Sequence, residues 1–199
     1  LRIIETTQTQ GGVLYNTDPQ YDGDSIADNI ALARVYMQRS AFDKAWPLLN
    51  WLINHAHTTG AFPTSVHPVT DRGSSGHGHD YYAAACFYQM IQACIFNYAD
   101  NDTTLCLLPG IDPAWWSDKP PLQLTNGNTL FGQLNLALMQ TSESEFRLTM
   151  SHQFHTDPKK IIITVPAFIK SARSGKTALP ITNSQIAVNL SDTIITFSL

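Results

Sequence analysis

Eight Asp, His and Arg side chains lie in two short stretches of this 199-residue chain, and their types suit hydrolysis. The first stretch is Tyr21-Asp22-Gly23-Asp24, with Asp18 just before it. The second is GAFPTSVHPVTDRGSSGHGHD, residues 60–80, which holds His67, Asp71, Arg72, His77, His79 and Asp80. Two separated carboxylate groups facing one mouth are what acid/base cleavage of a glycosidic bond requires. Histidine and arginine among glycines suit contacts to sugar hydroxyls, since glycine permits close backbone approach. A His-x-His-Asp string also suits a metal, but zinc takes three or four ligands and no Cys or further His adjoins it, so no metal is expected. No nucleophile elbow, phosphate loop, dinucleotide fingerprint or Cys-x-x-Cys pair is present. Hydrolysis by carboxylates, without a cofactor, is the class left standing.

Each of these residues also has a plainer role. Asp80 stands where a helix N-cap belongs. If it works as well as caps, the positive helix end favours its ionised form, which makes it a base rather than a proton donor. Asp22 and Asp24 with Gly23 make a turn unaided. Asp71 and Arg72 also read as an exposed pair, and His77 and His79 as loop packing.

Three helices must position these groups. Ser25 caps the first, with Asp28 three residues on, and Ile26, Ile30, Ala33 and Met37 form its apolar stripe. The second spans residues 42–57, with Ala45, Leu49, Leu52, Ile53 and Ala56 on one face and Pro47 either in its first turn or kinking it. The third, residues 80–98, contains no Asp, Glu, Lys or Arg after Asp80. Gln89, Gln92 and the lack of flanking basic clusters argue against a membrane span. A helix apolar all round needs cover on all sides, more than two other helices supply, so a missing N-terminal segment or a partner chain is expected. The short link between the first two helices makes them antiparallel, and the third then runs parallel to the first. This places Asp22 and Asp24 at the same mouth as Asp71, His77, His79 and Asp80.

From residue 102 the pattern changes to period two. Leu134, Leu136 and Leu138 alternate with Gln133, Asn135 and Ala137, and Phe146, Leu148, Met150, His152 and Phe154 alternate with polar partners. The expected class is α+β, with a helical part over residues 1–101 and an antiparallel β-sandwich over residues 102–199. Trp115 and Trp116 read either as a sugar-stacking platform or as a plug of the helical part onto the sandwich. Charged residues make up 14%, against roughly 25% in ordinary domains. A net charge of −4 without a basic run argues against nucleic acid. Three cysteines form no disulfide framework, and no signal-like run precedes the chain's first elements. A soluble protein follows, its compartment open among cytoplasm, periplasm and secretion.

On its junction GSSGHGHDYYAAA, its LLPGIDPAWW segment and its strand FGQLNLAL, the chain resembles the C-terminal end of six-hairpin (α/α)6-toroid glycoside hydrolases. Bacterial α-L-fucosidases and α-L-rhamnosidases have a similar layout. The resemblance implies helical hairpins of a partial (α/α)6 toroid followed by a β-sandwich, as the tail of a longer enzyme. It implies an oligo- or polysaccharide substrate at a mouth built from loops that precede the inner helices. Asp80 corresponds to the catalytic aspartate of the fucosidase-type enzymes, with Asp22 and Asp24 as further candidates. An earlier helical pair often carries the proton donor, so the chain by itself is expected to hydrolyse nothing. The alternative is a non-catalytic carbohydrate-binding or scaffold module. A third reading is a helical subunit whose uncharged helix docks into a partner.

Overall fold

A computed structural model describes residues 9–10, 13–16, 23–39, 41–76, 78–117 and 120–199. The chain divides into two units, Leu1–Ala93 and Cys94–Leu199.

In the first unit β1 (Thr9–Gln10), β2 (Val13–Asn16), β3 (Gly23–Ser25), β4 (Ser65–His67) and β5 (Arg72–Ser75) form an antiparallel meander in that order. Two helices, α1 (Ile26–Gln38) and α2 (Phe42–Asn54), are inserted between β3 and β4. Ser25 ends β3 and caps α1, its Oγ accepting from the Asp28 N–H at 3.2 Å. Ile26, Ile30 and Ala33 on α1 are buried, as are Ala45, Leu48, Leu49 and Leu52 on α2. Each large aliphatic side chain so covered contributes about 1.5–3 kcal/mol. Pro47 lies inside α2, past its first turn, on the exposed side. One polar group enters this core fully satisfied. Asn29 donates to the Leu14 and Ser25 carbonyls and accepts from the Leu14 N–H, which ties α1 to β2.

The second unit pairs a six-stranded sheet with a four-stranded one. The first runs β13 (Thr177–Leu179), β12 (Ser171–Ser174), β15 (Ile194–Ser198), β10 (Glu145–Phe154), β9 (Gly132–Ser142), β8 (Leu122–Thr129). The second runs β14 (Gln185–Val188), β11 (Lys160–Thr164), β7 (Thr104–Leu107), β6 (Phe96–Ala99), with only the β7–β11 pair parallel. Leu134, Leu136 and Leu138 are buried, as are Leu105, Leu107, Ile161 and Ile163 on the other sheet. Residues of both sheets enclose one cavity of about 10 Å³, so the two inner faces form a sandwich-like core. Trp116, in a 3₁₀ turn over Pro113–Trp116, is 2 % exposed and meets Phe146, Phe168 and Phe197 edge-on at 5.2–6.2 Å. It is core packing and offers no platform to a sugar.

Three expectations are corrected. The helical hairpins of a partial (α/α)6 toroid are not there: the described residues hold three helices, and strands in three sheets dominate. Polar stretches that read as loops became strands by pairing, β3 with the distant β4 and β5 with β4 across a hairpin. The run 60–80 is likewise no structureless loop but carries the β4–β5 hairpin. The third helix, α3 (Tyr81–Ile95), stops before Phe96, and Phe96–Ala99 turns into β6, paired with β7. Within this chain α3 keeps an uncovered face, as the shortage of covering helices implied. Ala83, Met90 and Cys94 are buried, but Tyr81, Tyr82 and Tyr88 are 70–86 % exposed. The phenol rings carry hydroxyls that water can satisfy, so this face tolerates exposure better than aliphatic side chains would. Residues 1–5, which the amino-acid sequence alone marks as a short strand, lie outside the described residues.

Candidate functional site

The candidate site lies in the first unit where β3, the end of α2 and the β4–β5 hairpin come together. Gly23 makes the approach possible. Its φ of +149° suits only glycine, and a Cβ there would lie 2.8 Å from Ser74 Oγ and closer still to the Val66 carbonyl. Asp24 therefore sits directly opposite Val66 in the β3–β4 ladder and is only 9 % exposed. Burial pushes its carboxyl up from the usual carboxylate value, the charge of His55 works against that, and the charge of Asp71 adds to it.

His55 is the C-cap of α2. Its Nδ1 lies 2.7 Å from the Trp51 carbonyl, its Nε2 lies 2.7 Å from Asp71 Oδ1, and its ring rests on the Trp51 indole at 4.5 Å. Asp71 closes the hairpin turn with φ +57°, its N–H donating to the His67 carbonyl. His67 is turned inward on the same loop, its Nδ1 accepting from the Val69 and Thr70 N–H groups at 3.1 and 3.3 Å. Arg72 opposes His67 in the ladder and is exposed. Beneath the hairpin, Ser65 is buried and its hydroxyl meets those of Ser74 and Ser75 at 2.9 and 2.6 Å.

Asp80 caps α3. Its Oδ1 accepts from the Ala83 N–H at 3.0 Å, and its own N–H donates to the Phe62 carbonyl at 2.8 Å. Replacing it with alanine is expected to lower stability by about 1 kcal/mol, while asparagine keeps an acceptor oxygen and most of that stability. Urea denaturation of both variants checks this; equal losses would mean the cap is worth little here. His79 is exposed beside it. Asp22 and His77 lie outside the described residues.

Of the residues singled out by type, Asp24 and Asp71 are close enough for their charges to act on one another. His67 is committed to its turn, and Asp80 spends one carboxylate oxygen on its helix. The sequence reading passed over His55 and the three serines. A basic residue just past the last helical position is a helix-end signal, and for His55 it was the one available. The serines carry no comparable signal. Cys94 offers no nucleophile, because burial pushes its thiol up to about 12. No group of three or more His, Cys, Asp or Glu among the described residues is arranged to hold a metal ion. No helix among them is long and apolar enough to cross a membrane.

No family model and no curated protein matches the chain. Among solved structures, an α-L-rhamnosidase from Dictyoglumus thermophilum aligns with a TM-score of 0.48 and 13 % identity, over 86 % of this chain and 20 % of the rhamnosidase. The chain thus spans about a fifth of that protein's length.

Proposed function

We propose that the chain is part of a glycoside hydrolase and handles an uncharged oligo- or polysaccharide, with carboxylates performing the acid/base chemistry. The observation that carries this reading is Asp24, a nearly buried carboxyl held toward its protonated form beside an exposed carboxylate, Asp71. A glycosidase needs such a pair, one group kept as the proton donor and another kept ionised. In this assignment Asp24 donates the proton to the leaving oxygen. Asp71 or Asp80 serves as the ionised partner, and His67, Arg72 and His79 offer donors to sugar hydroxyls from the rim. Asp22 and His77 keep their candidate roles from residue type alone. Substrate enclosure falls to a further segment or partner chain.

One observation favours the non-catalytic binding reading. The outer face of β8, β9 and β10 carries a shallow groove of about 360 Å³, lined by Gln123, Thr125, Asn135, Thr149 and Ser151 together with the apolar Leu124, Leu136, Ala137 and Met150. Asn135 is fixed in it, accepting from the Asn126 N–H at 2.8 Å and donating to Ser151 Oγ at 3.3 Å. Uncharged amides and hydroxyls suit a neutral polyhydroxylated ligand.

An NMR titration of the isotope-labelled chain with a panel of neutral mono- and oligosaccharides tests both readings. Amide shifts at Asp24, His67–Arg72 and Gly78–Asp80 are expected. Shifts confined to Asn135, Thr149 and Ser151 would replace the catalytic reading with the binding one. No shift with any sugar would end both.

A further inference from the structure

We propose that His55 is a positioning residue for the candidate site, a two-sided clasp that fastens the C-terminal end of α2 to the turn of the β4–β5 hairpin. The inference rests on reading Asp24 as the working carboxyl, and it adds the element that sets that carboxyl's surroundings.

The argument starts from acceptor chemistry. A backbone carbonyl only accepts, so Nδ1, 2.7 Å from the Trp51 oxygen, must carry a proton. Nε2 then faces Asp71 Oδ1 at 2.7 Å, and against an ionised carboxylate only the doubly protonated ring donates from both nitrogens. An imidazolium at this place also complements the partial negative charge of the α2 C-terminus. The side chain of His55 is 10 % exposed and lies tilted against Trp51 at 4.5 Å, so its ring has little freedom to turn away.

The clasp reaches the site through the hairpin. Asp71 ends the turn that leads into β5, His67 holds that turn from inside, and one residue before His67 is Val66, the ladder partner of Asp24. His55 therefore acts through Asp71 and the hairpin, and its charge opposes the burial of Asp24. The two histidines have opposite proton arrangements. His55 keeps its proton on Nδ1, whereas His67 uses bare Nδ1 as an acceptor and carries its proton on Nε2.

Two measurements on the 199-residue chain test this, and neither requires turnover. Long-range ¹H–¹⁵N spectra of the wild-type protein should show protons on both Nδ1 and Nε2 of His55, and neutral His67 as the Nε2–H tautomer. A His55 ring whose Nδ1 carries no proton would overturn the proposal without any substitution. The ¹³C-carboxyl titration of Asp24 supplies the second reading. In His55→Gln its midpoint should rise, because a cation is lost, and in Asp71→Asn it should fall, because an anion is lost. A general loosening would expose Asp24 to water and lower the midpoint in both variants. An unchanged or lowered midpoint in His55→Gln would therefore overturn the clasp. Should that variant fail to fold, the wild-type spectra decide. Absence of glycoside turnover, which would sink the hydrolase reading, leaves both measurements intact.

Discussion

Asp24→Asn is expected to raise stability near neutral pH and, in the form of the protein that turns over a glycoside, to lower kcat by about 10²–10⁴-fold. The two effects have one cause. Asp24 is nearly buried, and its folded-state pKa is raised chiefly by that burial. The folded chain therefore holds this proton more tightly than the unfolded chain. Below the ordinary carboxylate value of about 3.9 both states are protonated and Asp24 exerts no pH-dependent effect. As pH rises through the window between that value and the raised folded one, the unfolded state ionises first and stability falls. Above the window the full loss is present, and asparagine, which cannot ionise, escapes it. Urea midpoints of wild type and variant measured from acid to neutral pH should therefore diverge upward through that window. Parallel curves would show that Asp24 ionises in the fold as it does in the open chain. Unchanged turnover in the variant would remove Asp24 as the proton donor and leave Asp22 as the remaining candidate for that role.

Trp116→Ala is expected to cost about 3–5 kcal/mol, enough to unfold a marginal unit. The indole is buried and meets three phenylalanine rings, so removing it leaves a cavity as well as losing contacts. Edge-to-face pairs of this kind add about 0.5–1.5 kcal/mol beyond their burial. Trp116→Phe keeps part of the filling and should lose distinctly less. Urea denaturation followed by near-ultraviolet circular dichroism provides the comparison. A loss below about 1 kcal/mol for alanine would show that the rings close over the gap. Trp115, half-buried next to it, has no such ring cluster and is the control.

The neighbouring acidic stretch and hairpin show how stability and chemistry compete in one place. Asp24 is a destabilising residue by its own burial, and the fold offsets this with short polar contacts around it. The Ser65 hydroxyl cluster and the His67 turn belong to β4 and its hairpin, and the His55–Asp71 pair joins that hairpin to the end of α2. Asp71 itself is largely exposed, so its ion pair is worth little as stability alone. Its interest is geometric: it fixes where the hairpin turn stands.

Local signals were legible in the amino-acid sequence. Ser25 with Asp28 marked the start of α1, Asp80 marked the start of α3, and the alternation through Leu134–Leu138 and Phe146–Phe154 marked β9 and β10. Each of these is settled within a few residues, by a side chain reaching its own backbone or by one face meeting a core. Only the tertiary structure decided the rest. The segments Gly23–Ser25, Ser65–His67 and Arg72–Ser75 are too short, and too rich in glycine and serine, to announce themselves as strands. They are strands because two helices of 13 residues each return the chain from β3 to β4, and the hairpin turn then lays β5 along β4, since an edge must pair with something. Phe96–Ala99 likewise left the helical pattern for β7. The toroid expectation failed for this reason, since resemblance in the order of elements says nothing of which polar segments will find partners. His55 was hidden for the same reason: sixteen residues separate it from Asp71, and only the closed hairpin brings the ring and the carboxylate within 2.7 Å.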